Sequence, residues 1–332
     1  MILSNWKNEG QKRKDRKRYM IYTITFNPAL DYTTQVENFE IGKINRTKTE
    51  NILAGGKGLN VSIILKRLGI DNIAFSFIAG FTGKELERII NEYDITTDFI
   101  EVNKGYTRIN VKISSIEKNS LIQESETALN GNGPEITSTD IERLLKKIQK
   151  INSNDMVILS GNIPKCINED IYEIICKELN KNKVKFVVDA SQSLLTNCLK
   201  YKPFFIKPNK DELEETFNVK ITTKEQIIIY AKKLQEKGAQ NVLISLGGNG
   251  AILITEKNEV YYSNTPKGQV INTVGAGDSM VAGFVAGYLK TQDFKNALKF
   301  GVASGSATAF SAGLALKEEI DELLKQITIE KI

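Results

Sequence analysis

An acid that follows three small residues and opens an apolar helix pattern is the residue of this chain best equipped for chemistry. The stretch is Asn272-Thr273-Val274-Gly275-Ala276-Gly277-Asp278-Ser279-Met280-Val281-Ala282-Gly283. Gly275, Ala276 and Gly277 let the backbone turn tightly and approach a ligand closely. Their amides then stand at a helix N-terminus, where unpaired N–H groups and the helix dipole favour a phosphate or a developing negative charge. Asp278, at the same point, is placed to accept a proton from a hydroxyl held beside that phosphate. Taken alone, the motif is equally a glycine-rich turn with Asp278 as an ordinary N-cap.

Other candidates sit at similar punctuation points. Gly55-Gly56-Lys57-Gly58 puts a cation in a backbone-permissive loop ahead of the helical pattern Leu59–Leu68. Asp31 follows the strand-like run Ile21–Phe26 and the turn Asn27-Pro28, at the strand edge where doubly wound sheets bind ligands. A turn-capping role is its plain alternative. Arg108 lies in Thr107-Arg108-Ile109-Asn110-Val111-Lys112-Ile113, which alternates polar and apolar as a half-covered strand does. It is a forked, permanent cation suited to phosphate, or else part of a solvated strand face. The chain has no histidine. That excludes Ser-His-Asp and Cys-His catalysis and His-ligated zinc or haem, and leaves acid–base work to carboxylates, Lys or Tyr.

The elements that must position these groups are legible as an alternation. Strands are expected at Ile21–Phe26, Ile73–Ile78, Phe99–Val102, Arg108–Ile116, Met156–Ser160, Lys185–Val188, Phe204–Ile206 and Asn241–Ser245. Helices are expected at Leu59–Leu68, Gly83–Tyr93, Ser138–Ile151, Glu169–Asn180 and Lys224–Lys237, the third opened by a capping box of Thr139 and Glu142. Polar or glycine clusters follow strand after strand: Ser160-Gly161, Asp189, Lys207-Pro208-Asn209 and Ser245-Leu246-Gly247. This predicts an α/β fold, doubly wound, with a mostly parallel sheet, helices on both faces and a site along one strand edge.

At 332 residues, 41% hydrophobic and 26% charged, the chain has the composition of a globular protein. Its formal charge of +5 has a local origin. Residues 1–19 carry seven of the 45 basic residues and two of the 40 acids, so the rest is neutral. Met1–Tyr19 lacks an apolar signal core and reads as a disordered basic extension; residues 20–332 read as one domain. Neither a nucleic-acid partner nor a membrane is expected. Cys166, Cys176 and Cys198 form no CxxC pair, as in a cytoplasmic protein with reduced thiols.

Val274–Ser279 (VGAGDS) and Ala54–Val61 (AGGKGLNV) resemble the two signatures of the ribokinase-like (PfkB) family of sugar kinases, in the same order. The resemblance covers nearly everything from Met20 onward. It implies a ribokinase-like fold with a small β lid, here segments 32–48 and 103–127, and an ATP-dependent kinase assisted by Mg²⁺. Asp278 is then the catalytic base, with Gly275, Ala276 and Gly277 at the transferring phosphoryl. By the same resemblance Asp31, Gly55, Gly56, Lys57, Asn60, Arg108, Asn110 and Ser160 bind the sugar, with Arg46 a weaker contributor. Lys207, Asn209, Ser245, Gly247, Gly250, Thr273 and Ser306 bind the nucleotide, the adenine lying near Ala303–Ala307. Lys207-Pro208-Asn209 with Glu212 is similar to the KPNxxE motif, in which the glutamate acts on Mg²⁺ indirectly.

One departure is Asn272-Thr273, where many members carry Asp-Thr at a monovalent-cation site. Thr107–Ile113, Glu124–Pro134 and Asp278–Phe284 look most like the branch that phosphorylates fructose 1-phosphate, with tagatose 6-phosphate as the alternative acceptor. A 6-phosphofructokinase of the same family is a more distant alternative. The expected partners are thus a phosphorylated ketohexose and ATP, with a homodimer formed through the lids. A catalytically silent sugar-phosphate sensor on the same fold is the rival from another class.

Overall fold

Runs such as Met156–Ser160 and Asn241–Ser245 lack the polar alternation of a half-exposed strand because helices cover both of their faces. The computed structural model describes residues 19–116, 125–190 and 192–332, so the basic extension falls almost wholly outside the described residues. In chain order the strands are Ile21–Thr25 (β1), Ala29–Glu37 (β2), Thr47–Gly55 (β3), Asn72–Ile78 (β4), Thr96–Thr97 (β5), Ile100–Glu101 (β6), Arg108–Ile116 (β7), Ser125–Asn130 (β8), Met156–Ser160 (β9), Lys185–Asp189 (β10), Phe205–Ile206 (β11), Asn241–Ser245 (β12), Ala251–Ile254 (β13), Val260–Ser263 (β14) and Ile329–Lys331 (β15). The helices are Lys57–Arg67 (α1), Gly80–Glu92 (α2), Ser138–Ile148 (α3), Ile171–Lys181 (α4), Gln192–Cys198 (α5), Lys210–Phe217 (α6), Lys224–Glu236 (α7), Ala276–Thr291 (α8), Phe294–Ala309 (α9) and Lys317–Leu324 (α10).

The main sheet runs β15-β14-β13-β12-β11-β10-β9-β1-β4-β5, with β6 also beside β4. Every pair from β12 to β5 is parallel, while β12–β13, β13–β14 and β14–β15 are antiparallel. The antiparallel edge was not foreseen, because β14 and β15 are short and β15 draws its strand from the distant C-terminal segment. Successive residues go to opposite faces. Ile158, Val187 and Leu243 pack with α1, α8, α9 and α10, while Leu159, Val188 and Ile244 pack with α3 to α7. Burying an apolar side chain of this size contributes about 2 kcal/mol. The chain leaves β1 toward β4, then returns to β9 on the other side of β1. That reversal makes the carboxyl ends of β1 and β9 the topological switch point, the usual ligand crevice of such sheets.

A second sheet, ordered β3-β2-β7-β8, grows directly from β1 through Pro28. Its rows divide cleanly by face. Leu53, Asp31, Asn110 and Asn130 lie in register on one face; Ile52, Tyr32, Val111 and Leu129 lie on the other. Residues 38–46 join β2 to β3, residues 103–107 lead from β6 to β7, and neither stretch is a strand; residues 117–124 lie outside the described residues.

Two other sequence expectations shift. The capping box of α3 is made by Thr137 and Asp140, not Thr139 and Glu142, and the helix ends at Ile148. The Asp140 carboxylate reaches back to the Thr137 amide at 3.0 Å, a reach that fixes the cap two residues earlier. Along their shared face, α8 and α9 approach through glycines. A Cβ on Gly283 would stand 2.4 Å from the Phe300 carbonyl and 2.4 Å from Ser304 Oγ.

Candidate active site

Two helices aim their N-termini at the switch point. Gly56 caps α1 with φ 129, and Gly275 caps α8 with φ 80, a left-handed conformation that costs glycine little. A Cβ on Gly275 would also meet Leu314 at 2.8 Å. The first turn of α8 then delivers Asp278, only 5% exposed, into the molecule. Asn60 on α1 donates from Nδ2 to Asp278 Oδ2 at 2.8 Å. Burial, with Asp189 as a second negative group, pushes the Asp278 carboxyl up to about 6; the Asn60 hydrogen bond, Lys57 and Lys207 oppose the rise.

Asp189, the single acid ending β10, organises the cations. Lys207 Nζ lies 3.4 Å from its Oδ1, and Lys57 Nζ 4.0 Å from its Oδ2. Lys57 is held above its ordinary pKa chiefly by Asp189, with Asp278 and Glu212 adding to the effect against burial. Lys207 is 7% exposed. A Cβ on Gly277 would stand 3.3 Å from Lys207 Nζ, so this glycine leaves the ammonium room beside the α8 amides. An ammonium and a helix N-terminus at one point suit a phosphate.

On the β1 side, Asp31 accepts from Asn110 Nδ2 at 2.8 Å and from Lys112 Nζ at 3.0 Å. Gly55 abuts the Asp31 carboxylate: a Cβ there would lie 2.7 Å from Oδ1. Burial draws the Arg108 guanidinium below its usual pKa, against the pull of Asp31. Arg108 Nε, Asn110 Oδ1, Ser160 Oγ, Asp189 Oδ2, Thr25 Oγ1 and Asn27 Oδ1 are buried and make no hydrogen bond. Leaving such atoms unpaired is costly, so their gathering at one strand edge fits a polar ligand that pairs with them. Arg46 is exposed in the connection between β2 and β3, away from this set.

Beyond α8 lies a cavity of about 950 Å³. Of the residues assigned to the nucleotide from sequence, Lys207, Asn209, Ser245, Gly247, Thr273 and Ser306 line it. Gly250 does not; a Cβ there would fall 1.9 Å from the Ser263 carbonyl, so this glycine lets the start of β13 lie close against the end of β14. Ala303 and Ala307 are buried in the core, and only Gly305 and Ser306 of that segment reach the cavity wall. Asn209 and Glu212 form a reciprocal capping box at the start of α6, at 2.8 and 2.7 Å. Sequence reasoning marked Asp189 only as a strand-end acid and did not single out Lys112, Tyr262 or Phe310. Asp189 carried a signal, an acid closing the apolar residues Phe186, Val187 and Val188 of β10; Tyr262 and Phe310 carried none, since their place depends on packing between distant segments.

A doubly wound sheet whose switch point adjoins a separate small sheet, with a buried acid at a helix N-terminus beside a large cavity, is the build of a ribokinase-like sugar kinase. The chain belongs to the pfkB family of carbohydrate kinases, which it matches over residues 24–321. It is 42% identical to a 1-phosphofructokinase of Bacillus subtilis, covering 94% of this chain and 100% of that one. It is 37% identical to a D-tagatose-1-phosphate kinase of Bacillus licheniformis, covering 93% and 99%. A crystal structure of a Staphylococcus aureus protein assigned as a phosphofructokinase superposes with TM-score 0.85 at 42% identity, covering 94% of this chain and 99% of that one. The protein is a phosphotransferase acting on a carbohydrate. No helix among the described residues is long and apolar enough to cross a membrane.

Proposed function

We propose that this kinase transfers the γ-phosphoryl group of ATP to the C6 hydroxyl of fructose 1-phosphate, giving fructose 1,6-bisphosphate and ADP. The observation that carries the reading is the position of Asp278, buried between the polar strand-edge set and the cavity that Ala276 and Gly277 help to line. Both relatives are named for ketohexoses phosphorylated on C1, which leaves C6 as the primary hydroxyl to be phosphorylated. This favours tagatose 1-phosphate, rather than tagatose 6-phosphate, as the competing acceptor.

In this reading Asp31, Asn110 and Ser160 hold sugar hydroxyls, while Arg108 and Lys57 take the acceptor's phosphate. Asp278 accepts the C6 hydroxyl proton as oxygen bonds to phosphorus, and ADP departs into the cavity. The amides of Ala276 and Gly277, with Lys207, stabilise charge on the transferring group. No trio of acidic or thiol side chains forms a metal cage among the described residues, and Glu212 has one carboxylate oxygen committed to the Asn209 amide. That donor set fits Mg²⁺ held by nucleotide phosphates and water, with Glu212 acting indirectly. Magnesium bound with the nucleotide neutralises charge on its phosphate oxygens.

The reading includes a cytoplasmic homodimer. The apolar row on the face of the small sheet opposite Asp31 is uncovered at Ile52 (53% exposed) and Leu129 (61%), and a second copy would cover it. The test of the activity is a coupled phosphoryl-transfer assay with ATP and Mg²⁺ across fructose 1-phosphate, tagatose 1-phosphate, tagatose 6-phosphate and fructose 6-phosphate. kcat/KM is expected to be highest for fructose 1-phosphate. A higher value for any other acceptor overturns the substrate assignment.

A further inference from the structure

Arg108, Asn110 and Lys112 alternate along β7, so all three project from the face that carries Asp31. The first two have a ready place in acceptor binding; Lys112 does not. Yet its ammonium is mostly covered, with the side chain 20% exposed, and it pairs at 3.0 Å with Asp31, itself 16% exposed. A lysine on a solvated strand face would extend into water. Here it folds back onto the carboxylate from one side, while Asn110 holds the other oxygen at 2.8 Å. The neighbour in register on β8 is Ala128, which leaves the lysine stem room to lie against the sheet.

We infer that Lys112 is a positioning residue of the acceptor site, pinning the Asp31 carboxylate so that it meets the sugar hydroxyls in one orientation. Two donors, one on each oxygen, fix the rotation of the carboxylate. Without the ammonium, Asp31 is free to turn about its side-chain bonds, and binding must then repay the ordering. The inference rests on Asp31 binding the acceptor, as in the reading above, but not on which ketohexose phosphate is the acceptor.

The experiment is a double-mutant cycle on the full-length enzyme, with the acceptor that the wild type turns over best. Lys112→Met is expected to raise the acceptor KM at least about tenfold, the loss of a charge-assisted hydrogen bond, with the KM for ATP unchanged. Lys112→Arg is expected to restore most of the loss. On an Asp31→Asn background, Lys112→Met is expected to add little, because the group it positions is already altered. An acceptor KM within twofold of wild type in Lys112→Met, or effects of the two substitutions that add in full, overturns the inference. A general loss of stability would raise neither KM selectively and would not be rescued by arginine. If the wild type turns over none of the four acceptors, the functional reading fails instead, a distinguishable result.

Discussion

The Asp278 carboxylate is costly where it sits, and that cost makes its role measurable. Its pKa rises from an ordinary 3.8 to about 6 on folding. Between those values the folded state holds the proton more tightly than the unfolded one, so this group's contribution to stability falls as pH rises through the interval. Above it, the buried charge destabilises the fold by about 3 kcal/mol. Asp278→Asn is therefore expected to raise Tm most at pH 8 and about half as much at pH 5, inside the interval, read by thermal unfolding. The same substitution is expected to lower kcat by about 10²–10⁴ with small changes in both KM values, as for loss of a positioned base. In the wild type, kcat/KM is expected to fall below about pH 6 as the base takes up its proton. A variant with near-normal kcat would show that Asp278 is not the base. Arg108 is tested separately: Arg108→Ala is expected to raise the acceptor KM about 10–100-fold with kcat nearly unchanged. An unchanged KM would leave Arg108 without a part in acceptor binding.

At the scale of elements, the site depends on how closely α8 can lie against α9. Gly283 and Gly287 on α8 face Phe300, Ser304 and Ala297 at distances that leave no room for a Cβ. Gly283→Val is expected to lower stability by about 1–3 kcal/mol, measured by urea unfolding, because the two helix backbones must separate. Activity of the folded enzyme should fall as well, since α8 carries Asp278. A stability equal to wild type would show that the helix pair yields freely. The apolar helix pattern that follows Asp278 in the sequence does not show that the contact of α8 with α9 runs through backbone and hydroxyl atoms. The small sheet shows a related limit. Its strand β7 was legible from its alternating residues, whereas its parallel pairing with β2 is a tertiary choice, because β3 to β6, with α1 and α2, lie between the partners in the chain.

For the whole molecule the uncovered apolar row of the small sheet makes a prediction about size. Light scattering on the wild type is expected to give twice the 37.1 kDa chain mass, and Ile52→Asp with Leu129→Asp to give the single-chain mass. A monomeric wild type would rule out the dimer. Much of the protein was readable from sequence alone: the two glycine-rich helix starts, the strand-end clusters and a mostly parallel sheet. These features are local, since a glycine-rich turn, a cap or an apolar run declares itself within a few neighbours. The tertiary structure alone decided that Asp189 stands between Lys57 and Lys207, that Asn60 holds Asp278, and that Lys112 holds Asp31. Each of those pairs joins residues far apart in the chain, and a charge acquires its partner and its pKa only when folding removes the water between them.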